Sequence, residues 1–271
     1  MTELEQRATE MRKDIVAMIA KAGSGHPGGS LSSVEIMTAL YFGDVMNYDP
    51  ANPDDPKRDR FILAKGHAAP VLYATLAHAG FFAREELMTL RQLGSRLQGH
   101  PDSNLVPGVE VSTGSLGQGL SVACGAASGL KLDDSDAVVF TLLGDGECEE
   151  GQVWEAAMYA AHYGLDNLVA IVDRNGLQID GKTEDVCDPS DLCEKFKAFR
   201  WDVHTVDGHD IDALIALLKQ VKSDRNGKPH VVIAKTVKGK GVSFMENQAS
   251  WHGKAPNAEQ TQTALDELDA R

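Results

Sequence analysis

The sequence predicts a doubly wound α/β fold, in which a mainly parallel sheet carries helices on both faces. Three observations support this prediction. From residue 137 onward, short and continuously apolar runs alternate with helical patterns, as expected of strands buried on both faces of a parallel sheet. The chain has 271 residues and a hydrophobic content of 42%, enough for a sizeable core. It shows no internal repeat and no low-complexity segment.

The N-terminal part is predicted to be mostly helical. Apolar residues recur at helical spacing over 3–22, and the stretch GSGHPGG ends that helix. The sequence SSVE at 32–35 has the form of a capping box and predicts a second helix through about Phe42. FILAKGH indicates a short buried strand that turns into a helix at His67, and a further helix is expected at 84–93.

The C-terminal part is predicted to contain the other strands of the sheet. From residue 113, a glycine-rich turn leads into a helix of Gly, Ala and Ser, whose small side chains favour close packing of backbones. Strands are then expected at 137–143, 167–173, 201–206 and 230–236, and helices at 151–163, 190–199 and 210–222. We expect a single domain over 1–271, with 240–271 as a loop and a C-terminal helix extension.

The composition restricts the classes of function. Asp and Glu (40) outnumber Lys and Arg (26), and the net charge of −14 argues against general nucleic-acid binding. A small anionic ligand would need local help from a bound cation, helix N-termini or histidines.

No apolar run is long enough to span a bilayer, and the charged N-terminus does not resemble a secretory signal, so we expect a cytoplasmic protein. The four cysteines show no metal-binding spacing and are expected to be reduced thiols.

Two of the predicted strands end in turns that carry oxygen ligands. Asp145, in GDG, follows one strand, and Asn175 follows the next. Because ligands of open α/β sheets bind beyond the carboxyl ends of the strands, these side chains converge on one point if the two strands are neighbours. With the backbone carbonyl of Leu177 they would form an incomplete, oxygen-only shell, which suits Mg²⁺ or Ca²⁺ and does not suit zinc. Alternatively, both are turn residues, and Glu147 and Glu149 merely complement the dipole of the following helix.

Several motifs together resemble the N-terminal, diphosphate-binding domain of transketolase. GDGECEEG followed by DRNGLQIDG is similar to the thiamine diphosphate motif, which begins with GDG and ends in an asparagine after a strand. SGHPGGSLS, AKGHAAPVLYATLAHAG, RQLGSRLQGHPD, VEVSTGSLGQGLS and SWHGKAP occur in the order of that family, so the resemblance covers roughly residues 5 to 257. Ser115, where many full-length transketolases have proline, and the form of GHPGGS are similar to the split, two-subunit version of the enzyme.

The resemblance implies which residues hold a metal ion and thiamine diphosphate. Asp145, Asn175 and the main-chain carbonyl of Leu177 would bind Mg²⁺, with Ca²⁺ or Mn²⁺ as alternatives. Gly146 and His67 would lie against the diphosphate. The full set of implied cofactor contacts is His67, Gly114, Leu116, Gly146, Asn175 and His252.

The resemblance also implies catalytic residues. His26, His100 and His252 would handle the hydroxyls and carbonyl of a sugar substrate, because histidine can donate, accept or transfer a proton near neutral pH. Glu150 corresponds to a family acid at the subunit interface and is the fourth implied functional residue. The other histidines are expected to be structural, namely His78, His162, His204, His209 and His230.

The implied activity is transfer of a two-carbon ketol unit from a ketose phosphate to an aldose phosphate, as in the pentose phosphate pathway. Full-length transketolases continue through a pyrimidine-binding domain, whose glutamate activates the cofactor, and through a C-terminal domain. A second chain with these domains is therefore expected as a partner, in an α2β2 assembly. The alternatives are a component similar to 1-deoxyxylulose-phosphate synthase or to a 2-oxo acid dehydrogenase, and a non-catalytic module that binds the cofactor.

Overall fold

A computed structural model describes residues 1–270 and confirms the doubly wound α/β fold. One five-stranded parallel sheet has the strand order β1-β2-β3-β5-β4. The strands are β1 (Arg60–Leu63), β2 (Val139–Gly144), β3 (Leu168–Arg174), β4 (Asp202–Asp207) and β5 (His230–Lys235). The four strands of the C-terminal part begin and end within about two residues of their predicted positions, the boundary error that sequence patterns usually carry.

Helices cover both faces of the sheet. The α-helices of the described chain are α1 (Glu3–Ala22), α2 (Pro27–Leu31), α3 (Val34–Phe42), α4 (Ala69–His78), α5 (Gln118–Leu132), α6 (Gly151–His162), α7 (Thr183–Val186), α8 (Leu192–Ala198), α9 (Ile211–Ser223) and α10 (Ala258–Asp269). Short 3-10 helices occupy Gly66–Ala68, Arg84–Thr89, Gly146–Glu149 and Ala249–Trp251.

Alternate side chains of the strands enter two separate hydrophobic cores. Phe140 and Leu142 of β2 belong to the core formed with α1, α3, α4, α9 and α10. Val139 and Leu143 of the same strand belong to the core formed with α5, α6 and α8. Since successive side chains of a strand point to opposite faces, a strand that feeds two cores must be apolar throughout. This requirement explains the uninterrupted apolar runs in the sequence.

The small-residue helix α5 lies very close to the end of β1. A Cβ atom added at Gly119 would overlap with Cβ of Ala64, so only glycine allows this approach. The close packing sets the glycine-rich turn before α5 beside the carboxyl ends of the strands. This geometry matches the close backbone packing that the composition of α5 predicts.

Two local predictions of the N-terminal part are wrong. Ser32, the expected N-cap, follows the end of α2 instead, and its side chain donates to the carbonyl of Gly29 at 3.2 Å and to Asp173 at 2.6 Å. Ser33, which directly precedes α3, caps no N–H of that helix with its side chain either. Glu35, the other half of the expected capping box, pairs with Arg12. The helix expected at 84–93 is only the 3-10 helix already given, because Arg91 has a left-handed backbone conformation (φ 57°) that a continuing helix does not allow.

No helix within residues 1–270 combines the length and the apolar character that crossing a membrane requires.

Candidate functional site

The carboxyl ends of β2 and β3 bring Asp145 and Asn175 together. The two strands are neighbours in the parallel sheet. The carboxylate of Asp145, 3% exposed, accepts the backbone N–H groups of Gly146 at 3.0 Å and Gly176 at 2.6 Å. Oδ1 of Asn175 accepts the N–H of Leu177 at 3.1 Å. These backbone hydrogen bonds fix the positions of the two side-chain oxygen donors.

The residues around this point fit a hard divalent cation. Asp145, Asn175 and Leu177 line one cavity of about 280 Å³, and they offer a carboxylate, an amide oxygen and a carbonyl. Burial, and then the nearby Asp173, raise the pKa of Asp145 to about 6. A cation held at this carboxylate would offset both effects, because it compensates the buried negative charge. The carbonyl of Leu177 already accepts a cationic donor, Nζ of Lys238, at 2.9 Å.

A buried ion pair that the sequence patterns did not indicate supports the floor of the site. Nζ of Lys65, at the end of β1, lies 2.5 Å from Oδ2 of Asp173 in β3, and both side chains are almost completely buried. Ser32 donates to the same carboxylate oxygen at 2.6 Å, and Lys65 also donates to Ser33 at 2.7 Å. Lys65 and these partners hold the pKa of Asp173 below its ordinary value, although burial opposes them. The signal in the sequence is a lysine inside an apolar motif, FILAKGH, since lysine is rarely buried unless paired.

Glu147 ties the glycine-rich turn before α5 to the end of β2. One carboxylate oxygen accepts the N–H of Gly117 at 3.0 Å, and the other accepts the N–H of Gly144 at 3.1 Å. Burial raises the pKa of Glu147 to about 7. The interpretation of Glu147 as an acid that complements a helix dipole is therefore incomplete, because its side chain joins two segments of the site.

Four histidines gather beside the cavity. The ring centroid of His26 lies 5.2 Å from that of His67, 5.5 Å from that of His252 and 6.5 Å from that of His100. Burial is the main cause that lowers the pKa of His26 to about 4 and that of His252 to about 3, and it also lowers the pKa values of His67 and His100. Above about pH 6.5 these rings are neutral, so each can accept one hydrogen bond and donate another.

Lys238, three residues after β5, is a second lysine that the sequence patterns did not indicate. Its side chain is almost completely buried, and Nζ lies 2.9 Å from Nδ1 of His252 as well as from the carbonyl of Leu177. Burial lowers its pKa to about 8. Lys65 and Lys238 thus supply two cationic groups at the edge of the cavity, in a chain whose net charge is −14. An anionic ligand placed there would find local positive charge.

The remaining residues implied by the resemblance lie in the lining of the cavity, just outside it or at its rim. Those that line the cavity are His67, Leu116, Gly146, Glu150 and His252. Gly114 lies outside this lining, against His100, where an added Cβ would be 3.1 Å from the imidazole ring. Glu150 and His100 are exposed, at the rim of the site.

A second group of acids and histidines lies at the amino ends of β4 and β5. Ligand atoms of Asp202, Asp224 and His230 are within 4.8 Å of one another. Their charge is already compensated, because Lys228 donates to Asp202 at 3.1 Å and Asn226 donates to Asp202 and Asp224. This group therefore has the character of a surface ion-pair cluster.

Comparisons with known proteins agree with the geometry. A family model described as the transketolase thiamine diphosphate binding domain matches residues 5–269. An apulose-4-phosphate transketolase subunit of Phocaeicola vulgatus is 46% identical over 268 residues, which cover 99% of this chain and 94% of that protein. The 6-deoxy-6-sulfo-D-fructose transketolase subunit SqwG of a Clostridium species is 43% identical, over 98% of this chain and 96% of that protein.

Solved transketolase structures share the fold. A transketolase of Pichia stipitis in complex with xylulose 5-phosphate superposes with a TM-score of 0.92 at 32% sequence identity. The match covers 98% of this chain and 40% of that longer chain. This chain therefore belongs to the transketolase family of enzymes, in which it corresponds to the N-terminal, thiamine diphosphate-binding part.

Proposed function

We propose that this chain is the metal- and cofactor-holding subunit of a two-subunit transketolase, which transfers a two-carbon ketol unit from an anionic ketose to an aldose phosphate. The observation that carries the proposal is the convergence of Asp145, Asn175 and Leu177 on one cavity beside two buried lysines and four histidines. Relatives matched over almost their whole length are transketolase subunits, which supports a two-chain enzyme.

Mg²⁺ is the proposed metal. Asp145 would bind it through the carboxylate, Asn175 through the amide oxygen and Leu177 through the carbonyl, while water and diphosphate oxygens would complete the shell. For the carbonyl of Leu177 to become a ligand, Nζ of Lys238 must turn away from it. That lysine can instead meet the diphosphate, so loading of the site would replace a hydrogen bond to a carbonyl with an ionic contact.

The diphosphate is proposed to lie between the metal ligands and the histidine cluster. Gly146 leaves room for its approach, and His67 and Lys238 provide donors on the same side of the cavity. Thiamine diphosphate, when bound, supplies the carbanion chemistry of the reaction. Gly114 and Leu116, in the turn before α5, would border the aminopyrimidine ring. Glu147 positions this turn through its bonds to Gly117 and Gly144.

The histidines are proposed to handle the sugar substrate. His26 and His252 have lowered pKa values and are neutral near pH 7, so each can accept a hydrogen bond from a substrate hydroxyl or donate one to a carbonyl oxygen. His100, exposed at the rim, would meet the substrate first. We assign these three residues to acid–base and positioning roles at the hydroxyls and the carbonyl of the sugar.

A partner chain is proposed to complete the site. It would bring the pyrimidine-binding domain with the glutamate that activates the cofactor, in an α2β2 assembly. Glu150, which is exposed beside the cavity, would contact this partner. Nearby helices α5 and α6 expose apolar side chains, with Val122 39%, Met158 58% and Tyr159 41% exposed, and such side chains suit a protein interface.

The relatives suggest the substrate class. One acts on apulose 4-phosphate and another on 6-deoxy-6-sulfo-D-fructose, according to their names. Both donors are ketoses with an anionic group, and we propose a donor of that class for this chain. The specific aldose acceptor would be selected in part by the partner chain.

The test is reconstitution. The tagged chain is recovered from its native cell, its stoichiometric partner is identified by mass spectrometry, and the purified pair is assayed with Mg²⁺ and thiamine diphosphate. We expect ketol transfer from anionic ketoses such as xylulose 5-phosphate, 6-deoxy-6-sulfo-D-fructose or apulose 4-phosphate, and none from pyruvate. An isolated chain that turns over as fast as the pair, or a pair that prefers pyruvate, contradicts the proposal.

A further inference from the structure

We propose that Arg12, Glu35 and His209 form a positioning unit that holds residues 236–241, and with them Lys238, at the cofactor site. The inference rests on the proposed function for what Lys238 contacts, but the geometry of the unit is independent of it. All three residues lie outside the cavity of the candidate site.

The centre of the unit is the buried carboxylate of Glu35 in α3. Nη2 of Arg12 lies 2.5 Å from one oxygen of Glu35 and 2.7 Å from the other, and both side chains are nearly inaccessible to solvent. Nδ1 of His209 lies 3.0 Å from Oε2 of the same carboxylate. Although burial opposes it, the charge of Arg12 and the bond from His209 keep the pKa of Glu35 below its ordinary value. Glu35 is thus a buried anion that fixes two side chains at once.

Each of these two side chains also holds the backbone of the segment that carries Lys238. Nε2 of His209 accepts the N–H of Val237 at 2.8 Å. Nε of Arg12 donates to the carbonyl of Lys240 at 3.0 Å. Val237 and Lys240 stand on either side of Lys238 in the chain, so the unit holds the segment before and after the functional lysine.

The hydrogen bonds of His209 determine its tautomer. Because a backbone N–H points at Nε2, that nitrogen must accept, and the proton of the neutral ring must therefore lie on Nδ1, facing Glu35. A rigid ring that donates on one side and accepts on the other is specific to histidine. Phenylalanine has a similar shape and offers neither contact.

The segment 236–241 also makes hydrogen bonds outside this unit, among them those from the N–H of Thr236 to the carbonyl of Arg174 at 3.2 Å and from the N–H of Gly241 to Glu246 at 3.0 Å. Gly239 donates its N–H to the carbonyl of Gly28 at 3.0 Å and has a left-handed backbone (φ 78°). The carbonyl of Lys238 accepts the N–H of Asn247 at 2.9 Å. Since Nζ of Lys238 ends 2.9 Å from His252, a small displacement of this backbone moves a cation relative to the diphosphate site. Supporting residues of this kind change ligand affinity by roughly 10- to 100-fold when they are lost.

The structure offers a matched control. His204 lies in β4, five residues before His209, and its buried Nε2 has no hydrogen-bond partner within residues 1–270. His209→Phe removes both contacts of the positioning unit, whereas His204→Phe removes none. The two variants change histidine to phenylalanine at neighbouring places in the same chain.

The first experiment measures binding of thiamine diphosphate to the reconstituted pair of chains by calorimetry in the presence of Mg²⁺. We expect His209→Phe to weaken binding by roughly 10-fold or more and His204→Phe to leave it unchanged. In a Lys238→Met background, His209→Phe should cause no further loss, because the unit acts through that lysine. A general loss of stability would weaken binding in both backgrounds, so additive effects of His209→Phe and Lys238→Met overturn the proposal.

The second experiment uses no ligand. Hydrogen exchange of the Val237 amide should be faster in His209→Phe than in the wild-type chain and unchanged in His204→Phe, and equal exchange in all three overturns the proposal. If His209→Phe does not fold, Arg12→Lys serves in its place, because it keeps the charge beside Glu35 and loses the contact with Lys240. If the wild-type chain binds no cofactor even together with its partner chain, the proposed function fails, while hydrogen exchange still decides whether the unit holds the segment.

Discussion

Lysines, carboxylates and histidines occur at both ends of the sheet, but an ion pair at one end is more buried than an ion pair at the other. At the carboxyl ends of the strands, Lys65 and Asp173 are paired at 2.5 Å with side chains 2% and 0% exposed. At the amino ends, Lys228 and Asp202 are paired at 3.1 Å with side chains 55% and 26% exposed. Both ends also hold close histidines. Burial of the charges, and not their number, separates the candidate site from this cluster at the amino ends of β4 and β5.

Burial determines how strongly the charges at the two ends interact with a ligand. At the amino ends of β4 and β5, Asp202 and Asp224 contact lysine and asparagine and are partly open to solvent, so their charge is screened and interacts weakly with a ligand. At the carboxyl end, Asp145 keeps a buried carboxylate beside an open cavity, and Lys65 and Lys238 stand behind it. Because the effective dielectric constant is low where charges are buried, each of these charges interacts strongly with a ligand that enters the cavity.

The largest effect is expected from breaking the buried pair. Lys65→Met leaves the carboxylate of Asp173 buried without its cation, which typically costs about 3–5 kcal/mol. Lys228→Met breaks the exposed pair with Asp202 and should cost less than about 1 kcal/mol. Urea denaturation of the two variants measures both free energies of unfolding. Equal losses would show that the two ends do not differ in this respect.

The next effect concerns binding. Asp145→Asn should weaken Mg²⁺-dependent binding of thiamine diphosphate by on the order of 100-fold, because it removes the only charged member of the proposed ligand set. Asp202→Asn makes the same change at the amino end and should have no effect. Quenching of tryptophan fluorescence on titration with the cofactor provides the measurement. A cofactor affinity that survives Asp145→Asn would remove this residue from the metal site.

The smallest effect is a pH dependence of stability. Burial lowers the pKa of His26 from 6.5 to about 4, so the unfolded chain takes up a proton at higher pH than the folded one does. The stability that comes from keeping His26 neutral is full above pH 6.5 and is lost as the pH falls towards 4. His26→Asn should therefore flatten the decline of stability over this window relative to the wild-type chain.

His204 gives the comparison at the other end of the sheet. Its pKa is also lowered by burial, but Asp202 and Asp224 act in the opposite direction. His204→Asn should flatten the same decline less than His26→Asn does. Thermal unfolding of both variants from pH 7 to pH 4 measures the difference, and identical profiles would contradict the contrast in burial.

Much of the fold and part of the candidate site could be predicted from the sequence. The uninterrupted apolar runs required strands buried on both faces, and parallel strands place the residues after them at one edge. For that reason Asp145 and Asn175 could be expected to converge, and the structure places them together. Apolar runs and the turns that follow them are local features of the sequence, so they can be recognised without knowledge of the tertiary structure.

The rest depended on contacts between distant segments. Ser32 and Glu35 have the spacing of a capping box, but Ser32 bonds to Gly29 and Asp173, and Glu35 bonds to Arg12 and a histidine of another loop. No local rule distinguishes a serine that caps its own helix from one that donates to an aspartate of a distant strand. The roles of Lys65 and Lys238 were missed for the same reason, since only the fold brings them to the cavity.

The most direct measurement is the position of a bound divalent cation in a crystal of the chain grown with Mn²⁺ and thiamine diphosphate. Anomalous scattering of Mn²⁺ locates the ion without assumptions about its ligands. We predict one ion at the carboxyl end of the sheet, in contact with Asp145, Asn175 and the carbonyl of Leu177. An ion found only at Asp202, Asp224 and His230, or a cofactor bound with no ion at Asp145, would contradict this account.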